Sequence, residues 1–192
     1  MAYATYTTEA LVCGTYDKNT ADRSFLLFTR EAGMLYAEAR SVREERSRQR
    51  YALQDFSLVR VSLVKGKNGW KIGSIEALKN YYHEAINKEA RGDVVSLFRL
   101  LRRFMKGEEA TPDLFDYAVS AFAVLVKDSE FRLFISTAIQ VQILAYLGYV
   151  DTKFIPKEIN QVAPKDLIGT ADEKITKQIN DLYTQAVTSS HL

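Results

Sequence analysis

Strand-like patterning over the first 77 residues and helical periodicity over the rest predict an α+β chain: an all-β barrel of five strands, residues 1–77, then an all-α helical domain, residues 78–192. Three observations carry this reading. Short apolar runs bounded by turn residues recur up to residue 75, spacings of three and four take over from residue 76, and a long polar connection separates the third and fourth strand patterns.

The strands follow in order. Residues 9–15 and 24–29 are apolar runs, and Gly33 after Arg30, Glu31 and Ala32 supplies the positive φ of a tight hairpin. Residues 34–39 return as the third strand. Residues 56–64 place Phe56, Leu58, Val59, Val61 and Leu63 against Ser57, Arg60 and Ser62, a half-buried pattern. Lys65, Gly66, Lys67, Asn68 and Gly69 make a turn, and residues 70–75 form the fifth strand. Five short strands with a long link between the third and fourth match a small closed barrel of the OB type.

Helical spacing predicts helices over residues 78–89, from a cap at Gly92 and Asp93 to Phe104, from Thr111 and Pro112 to Leu125, and over 130–147 with Gly148 as a left-handed stop. Residues 156–163 predict a short helix and 171–187 an amphipathic one. Residues 133–150 hold no formal charge, but Ser136, Thr137, Gln140 and Gln142 and the lack of a flanking basic cluster predict a buried helix rather than a membrane span.

Composition narrows function. The net charge is +2, yet residues 1–77 hold 12 Lys plus Arg against 9 Asp plus Glu, while the remainder is balanced. Any preference for a polyanion therefore belongs to the first part. Its densest feature is the connection from Arg40 to Arg50, where Arg40, Arg43, Arg46, Arg48 and Arg50 outnumber Glu44 and Glu45. These guanidinium groups stay charged at any physiological pH. Cys13 is the only cysteine, which excludes an intrachain disulfide and a cysteine-rich metal cage and predicts a reducing compartment. The N-terminus lacks the basic and apolar regions of a secretory signal, so a cytoplasmic protein is expected. His83 and His191 are the only histidines, Glu44 with Glu45 and Glu108 with Glu109 read as solubilising charge, and no phosphate-cradling glycine motif occurs. These features predict no enzyme, no cofactor and no metal.

Several short motifs, in order and in spacing, resemble the bacterial RecO family. They are residues 9–12 (EALV), 22–33 (DRSFLLFTREAG), the basic stretch 39–48 (ARSVREERSR), 51–57 (YALQDFS), the helical runs 97–104 and 114–125, and 139–149 ending in Leu147, Gly148 and Tyr149. The similarity spans roughly residues 8–150. Asp55 stands where the family usually has proline and Ser41 where it has glycine, and Gln140 and Gln142 replace commonly charged residues. The four-cysteine zinc site that members often carry after the Leu-Gly-Tyr element is missing.

The resemblance implies a non-enzymatic protein of DNA repair and recombination that binds single- and double-stranded DNA, anneals complementary strands and assists recombinase loading. On that reading Arg40, Arg43, Arg46, Arg48 and Arg50 contact phosphates, and Lys65, Lys67 and Lys71 extend the track. Tyr36, Tyr51, Phe56 and Trp70 are rings that could stack on bases, while most aromatics in such a chain build core; Phe25, Phe28 and Phe56 read as core, and Trp70, after an exposed turn, is open to both readings. Arg99, Arg102 and Arg103 are a solvated helix face, a continuation of the DNA path or a dock for an acidic peptide. The implied partners are the tail of the single-strand-binding protein and RecR. The rival reading is a protein-interaction adaptor whose OB barrel no longer binds nucleic acid.

Overall fold

A computed structural model describes residues 5–189. The parts of the N-terminal reading that rest on residues 1–4, and His191, lie outside the described residues. By contact the chain divides into two units: residues 1–84 with 106–115, and residues 85–105 with 116–192.

In the first unit five strands, β1 (Thr5–Asp17), β2 (Arg23–Thr29), β3 (Gly33–Ala39), β4 (Ser57–Gly66) and β5 (Gly69–Asn80), close into a barrel in the order β1-β2-β3-β5-β4. A four-residue helix, α1 (Gln49–Ala52), lies in the link between β3 and β4, and β3 joins β5 in parallel through Ala37 with Trp70 and Glu38 with Lys71. This is the expected OB-type barrel followed by helices. Its interior is filled by alternate residues such as Val12, Phe25, Leu27, Leu35, Val59, Val61 and Leu63, as period-two patterning requires. Gly33 turns the β2–β3 hairpin at φ 66°, and a Cβ there would also collide with the Glu109 carbonyl.

Segment 106–115 packs on this barrel. The Met34 amide donates to the Gly107 carbonyl at 3.0 Å, and the Phe28 ring, fully buried on the outer wall of β2, meets Phe115 edge-on at 5.2 Å.

Two expectations are corrected here. Residues 78–80, expected to open a helix over 78–89, are not helical: they extend β5, with Asn80 paired to Ser57 and Lys79 to Leu58. Cross-strand pairing overrides the helix preference of Glu76, Ala77 and Leu78. Asn80 then ends the strand. Its side chain donates to the Asp55 carbonyl and to Ser57 Oγ, while its oxygen accepts the His83 amide and starts the one-turn α2 (Tyr81–Glu84). In the second unit, α3 (Lys88–Phe104) starts before Gly92 because Asn87 caps it, accepting the Ala90 amide at 2.8 Å.

The next helix, α4 (Pro112–Leu125), opens on proline as expected. The Thr111 hydroxyl does not cap it; that oxygen is buried without a hydrogen-bond partner among the described residues, and the Thr111 carbonyl accepts the Phe115 amide instead. The uncharged stretch forms α5 (Arg132–Tyr146), most of it buried, and Gly148 follows at φ 78°. Among the described residues no helix is long and apolar enough to cross a membrane. Residues 156–163 form turns rather than a helix, and a 3-10 helix, Pro164–Thr170, comes after them. Last is α6 (Glu173–Ser189), capped by Asp172, which accepts the Lys174 and Ile175 amides. The side chain of Arg132 anchors the second unit, reaching Asp93 at 2.9 Å and the Lys127 carbonyl at 2.6 Å.

Candidate nucleic-acid interface

The arginine connection leaves β3 at Arg40 and is pinned at three points. Val42 is buried in the barrel core, the Arg43 amide donates to the Ala21 carbonyl at 3.0 Å, and Ser41, at φ 51°, donates its amide to Asp22 at 2.8 Å. Further along, Gln49 donates to the Gly73 carbonyl of β5 at 2.7 Å and Leu53 enters the core. Side chains between these anchors project into solvent. The loop is therefore a built edge of the barrel, which lowers the entropy lost when a ligand orders it.

Its charges are only partly neutralised. Arg43 reaches Asp17 at 3.6 Å and the Asn19 carbonyl at 2.9 Å, and Arg46 pairs with Glu44 at 3.0 Å while its side chain stays 90% exposed. Arg50 donates to the Tyr51 hydroxyl at 2.9 Å and stacks on that ring. Arg40 and Arg48 are exposed. Neighbouring groups hold three carboxyls below their ordinary range: Asp17 through its hydrogen bond to Arg23, Asp22 through Asn19 and the Ser41 amide, and Glu44 through Ser41 and then Arg46. Exposed pairs of this kind exchange readily for a phosphate, because they are individually weak.

The β4–β5 turn meets this edge. Lys71 lies beside Glu38 in the β3–β5 pairing, two residues before Arg40, and Gly73 receives Gln49. Lys67 and Lys71 line a concavity of about 240 Å³ with Val64, Gly66 and Asn68. Lys65 is engaged elsewhere, pairing with Glu108 at 3.2 Å.

Of its two readings, Trp70 takes the core one. The residue is 8% exposed, its indole NH donates to Glu108 at 3.0 Å, Tyr6 meets its ring edge-on at 5.8 Å, and the Lys65 ammonium lies over the ring. A ring so enclosed is a core element and offers no open face to a base. Phe56, read as core, is half-buried at φ 71° and stacks on Tyr82. Glu108, read in the sequence as solubilising charge with Glu109, instead accepts from Trp70, a partner 38 residues away that no local signal announces.

Glu108 makes the cluster pH-sensitive. The Trp70 NH foremost, and the Lys65 ammonium with it, hold its carboxyl below the ordinary glutamate value against the opposing effect of burial. A depressed carboxyl stabilises the fold above its unfolded value and loses that contribution as pH falls through the folded one. Trp70 is the sole tryptophan. Its emission is therefore expected to shift on acidification just below the ordinary glutamate range, and Glu108→Gln should remove that shift.

In the second unit Arg99 and Arg103, one turn apart on α3, border a concavity of about 170 Å³ with Ser96, Leu100, Phe104, Tyr183 and Val187. Arg103 donates to the Val187 carbonyl at 3.1 Å. Arg102 is exposed but does not line this hollow.

A closed five-stranded barrel with an anchored cationic connection, followed in the chain by helices, defines a protein of the OB-fold class. Residues 1–81 match the family model described as Recombination protein O N terminal. Over this domain, less than half of the chain, the sequence is similar to the RecO family. Two curated relatives named DNA repair protein RecO, from two strains of Desulfitobacterium hafniense (DSM 10664 / DCB-2 and Y51), are each 27% identical over 144 residues, 75% of this chain and 52% of theirs. A protein of the same name from Cutibacterium acnes (strain DSM 16379 / KPA171202) is 35% identical over 77 residues, 40% of this chain and 31% of its own. The chain spans about half the length of the first two relatives.

Proposed function

We propose that this chain is a cytoplasmic DNA repair and recombination protein that binds single- and double-stranded DNA on its barrel, anneals complementary strands and assists recombinase loading. The observation that carries the reading is the anchored edge on which Arg40, Arg46 and Arg48 stand exposed, joined through the Glu38–Lys71 pairing to the strand that carries the Lys67 and Lys71 concavity. Phosphates that replace the weak carboxylate partners of Arg43 and Arg46 release counterions, giving salt-dependent and sequence-tolerant binding. Annealing then needs no chemical step, since cations that screen two strands at once lower their mutual repulsion.

The Arg99 and Arg103 hollow suits an acidic peptide ending in an apolar residue, which supports the tail of the single-strand-binding protein as a partner. RecR is proposed on the similarity to RecO alone. The carboxylate partners of Arg43, Arg46 and Lys65 favour one rival, an adaptor without a nucleic-acid role. Fluorescence anisotropy on labelled single strands at rising salt tests the choice. Binding that weakens linearly on a log-log salt plot, together with faster renaturation of complementary strands, supports the proposal. No binding at low salt, with protein partners retained after nuclease treatment, supports the adaptor.

A further inference from the structure

Two exposed tyrosines stand side by side on the outer wall of the barrel. Tyr16 of β1 is 39% exposed and Tyr36 of β3 is 57% exposed, with ring centroids 5.7 Å apart. Both point outward, because their neighbours alternate into the core: Leu35 and Ala37 flank Tyr36 and belong to the barrel interior. The register across β2 fixes their relation, setting Tyr16 opposite Ser24, Ser24 opposite Glu38, and Leu26 opposite Tyr36.

The same rows run on into cations. Glu38 pairs with Lys71 on β5, whose side chain folds over Gly66 at the Lys67 concavity, and Arg40 follows Glu38 by two residues. Lys18, beyond Tyr16 in the chain, bonds to Glu38 from the other side. An apolar ledge exposed to water is thus bracketed by basic groups on one wall. A ledge serving only to cover Leu26, which is 7% exposed, would need no such cationic border. It matches what a single strand requires, ring faces for bases and cations for the phosphates between them.

We infer that Tyr36, assisted by Tyr16, is the base-stacking platform of this barrel, taking unpaired bases of single-stranded nucleic acid while Lys67, Lys71 and Arg40 hold the adjoining phosphates. The inference rests on the DNA-binding reading above and assigns to it the base contact that enclosed Trp70 cannot make. It also gives the barrel a preference for unpaired over paired strands, since bases in a duplex have no free face to offer.

The test compares the full chain with Tyr36→Ala, Tyr16→Ala and Tyr36→Phe on two labelled probes of equal length, an oligo-dT and a wholly abasic strand with the same phosphates. Tyr36→Ala should weaken binding to oligo-dT roughly tenfold and leave the abasic strand unchanged. Tyr16→Ala should do the same to a smaller degree, Tyr36→Phe should bind like wild type, and the salt slope should be the same in all. Circular dichroism melting checks that the variants fold. Wild-type affinity of Tyr36→Ala for oligo-dT, or equal losses on both probes, overturns the platform while the electrostatic reading stands. Failure of the unmodified chain to bind either probe overturns both.

Discussion

Replacing Arg43, Arg46, Arg48 and Arg50 together by alanine is expected to lower affinity for single-stranded DNA by about a hundredfold or more at moderate salt. The figure follows from counterion release: each lost phosphate contact lowers the slope of log affinity against log salt by about 0.7 on single strands, so four reduce it by up to about 3. The variant should fold. Arg46 is 90% exposed, and the anchors that shape the connection are the buried Val42 and Leu53, the backbone amides of Ser41 and Arg43, and the Gln49 side chain. Losing Arg43 also leaves Asp17 with Arg23 as its remaining close cation, which adds repulsion against phosphate. Anisotropy titrations over a salt series measure both quantities. Unchanged affinity and slope would remove the connection from the interface.

Phe28→Ala is expected to be the most destabilising single change in the barrel, costing about 3–5 kcal/mol. Phe28 is fully buried and holds the Phe115 ring edge-on, so truncation leaves a cavity that must be closed by moving segment 106–115. Urea unfolding followed through Trp70 emission reports on the first unit, because the chain has one tryptophan and it lies in β5. The midpoint should fall well below wild type. A double-mutant cycle with Phe115→Ala should show coupling of about 0.5–1.5 kcal/mol beyond the loss of buried area. A midpoint within error of wild type would mean that segment 106–115 contributes little to the barrel.

Local chemistry explains which parts were legible in the sequence. Gly33 and Gly148 announce their turns because only glycine enters the left-handed region cheaply, and both take it. The arginine connection is legible as a polar interruption between two strand patterns. By contrast, residues 78–80 read as the start of a helix since Glu76, Ala77 and Leu78 favour it, and the β4 partner that makes them a strand is distant in sequence. The start of α3 was misplaced because Gly92 and Asp93 imitate a cap, while Asn87 makes the real one. At the site, the Lys-Gly-Lys-Asn-Gly turn suggested an exposed indole. The carboxylate that encloses Trp70 comes from a segment far along the chain, which no window of local pattern contains. Tyr36 is only one of four rings open to stacking in the sequence, and Tyr16 goes unmarked, for the opposite reason: aromatic residues in strands usually fill cores, and only the alternation of burial along β1 and β3 separates outward rings from inward ones.

Segment 106–115 sets a condition for dissecting the molecule. A cut after Glu84, natural as it looks on a linear map, would strip Phe28 of its aromatic neighbour, Met34 of its amide acceptor and Trp70 of its carboxylate. An isolated N-terminal fragment would thus display a sticky apolar scar on β2 and tend to self-associate. A minimal soluble barrel would need that returning stretch grafted back through a short linker.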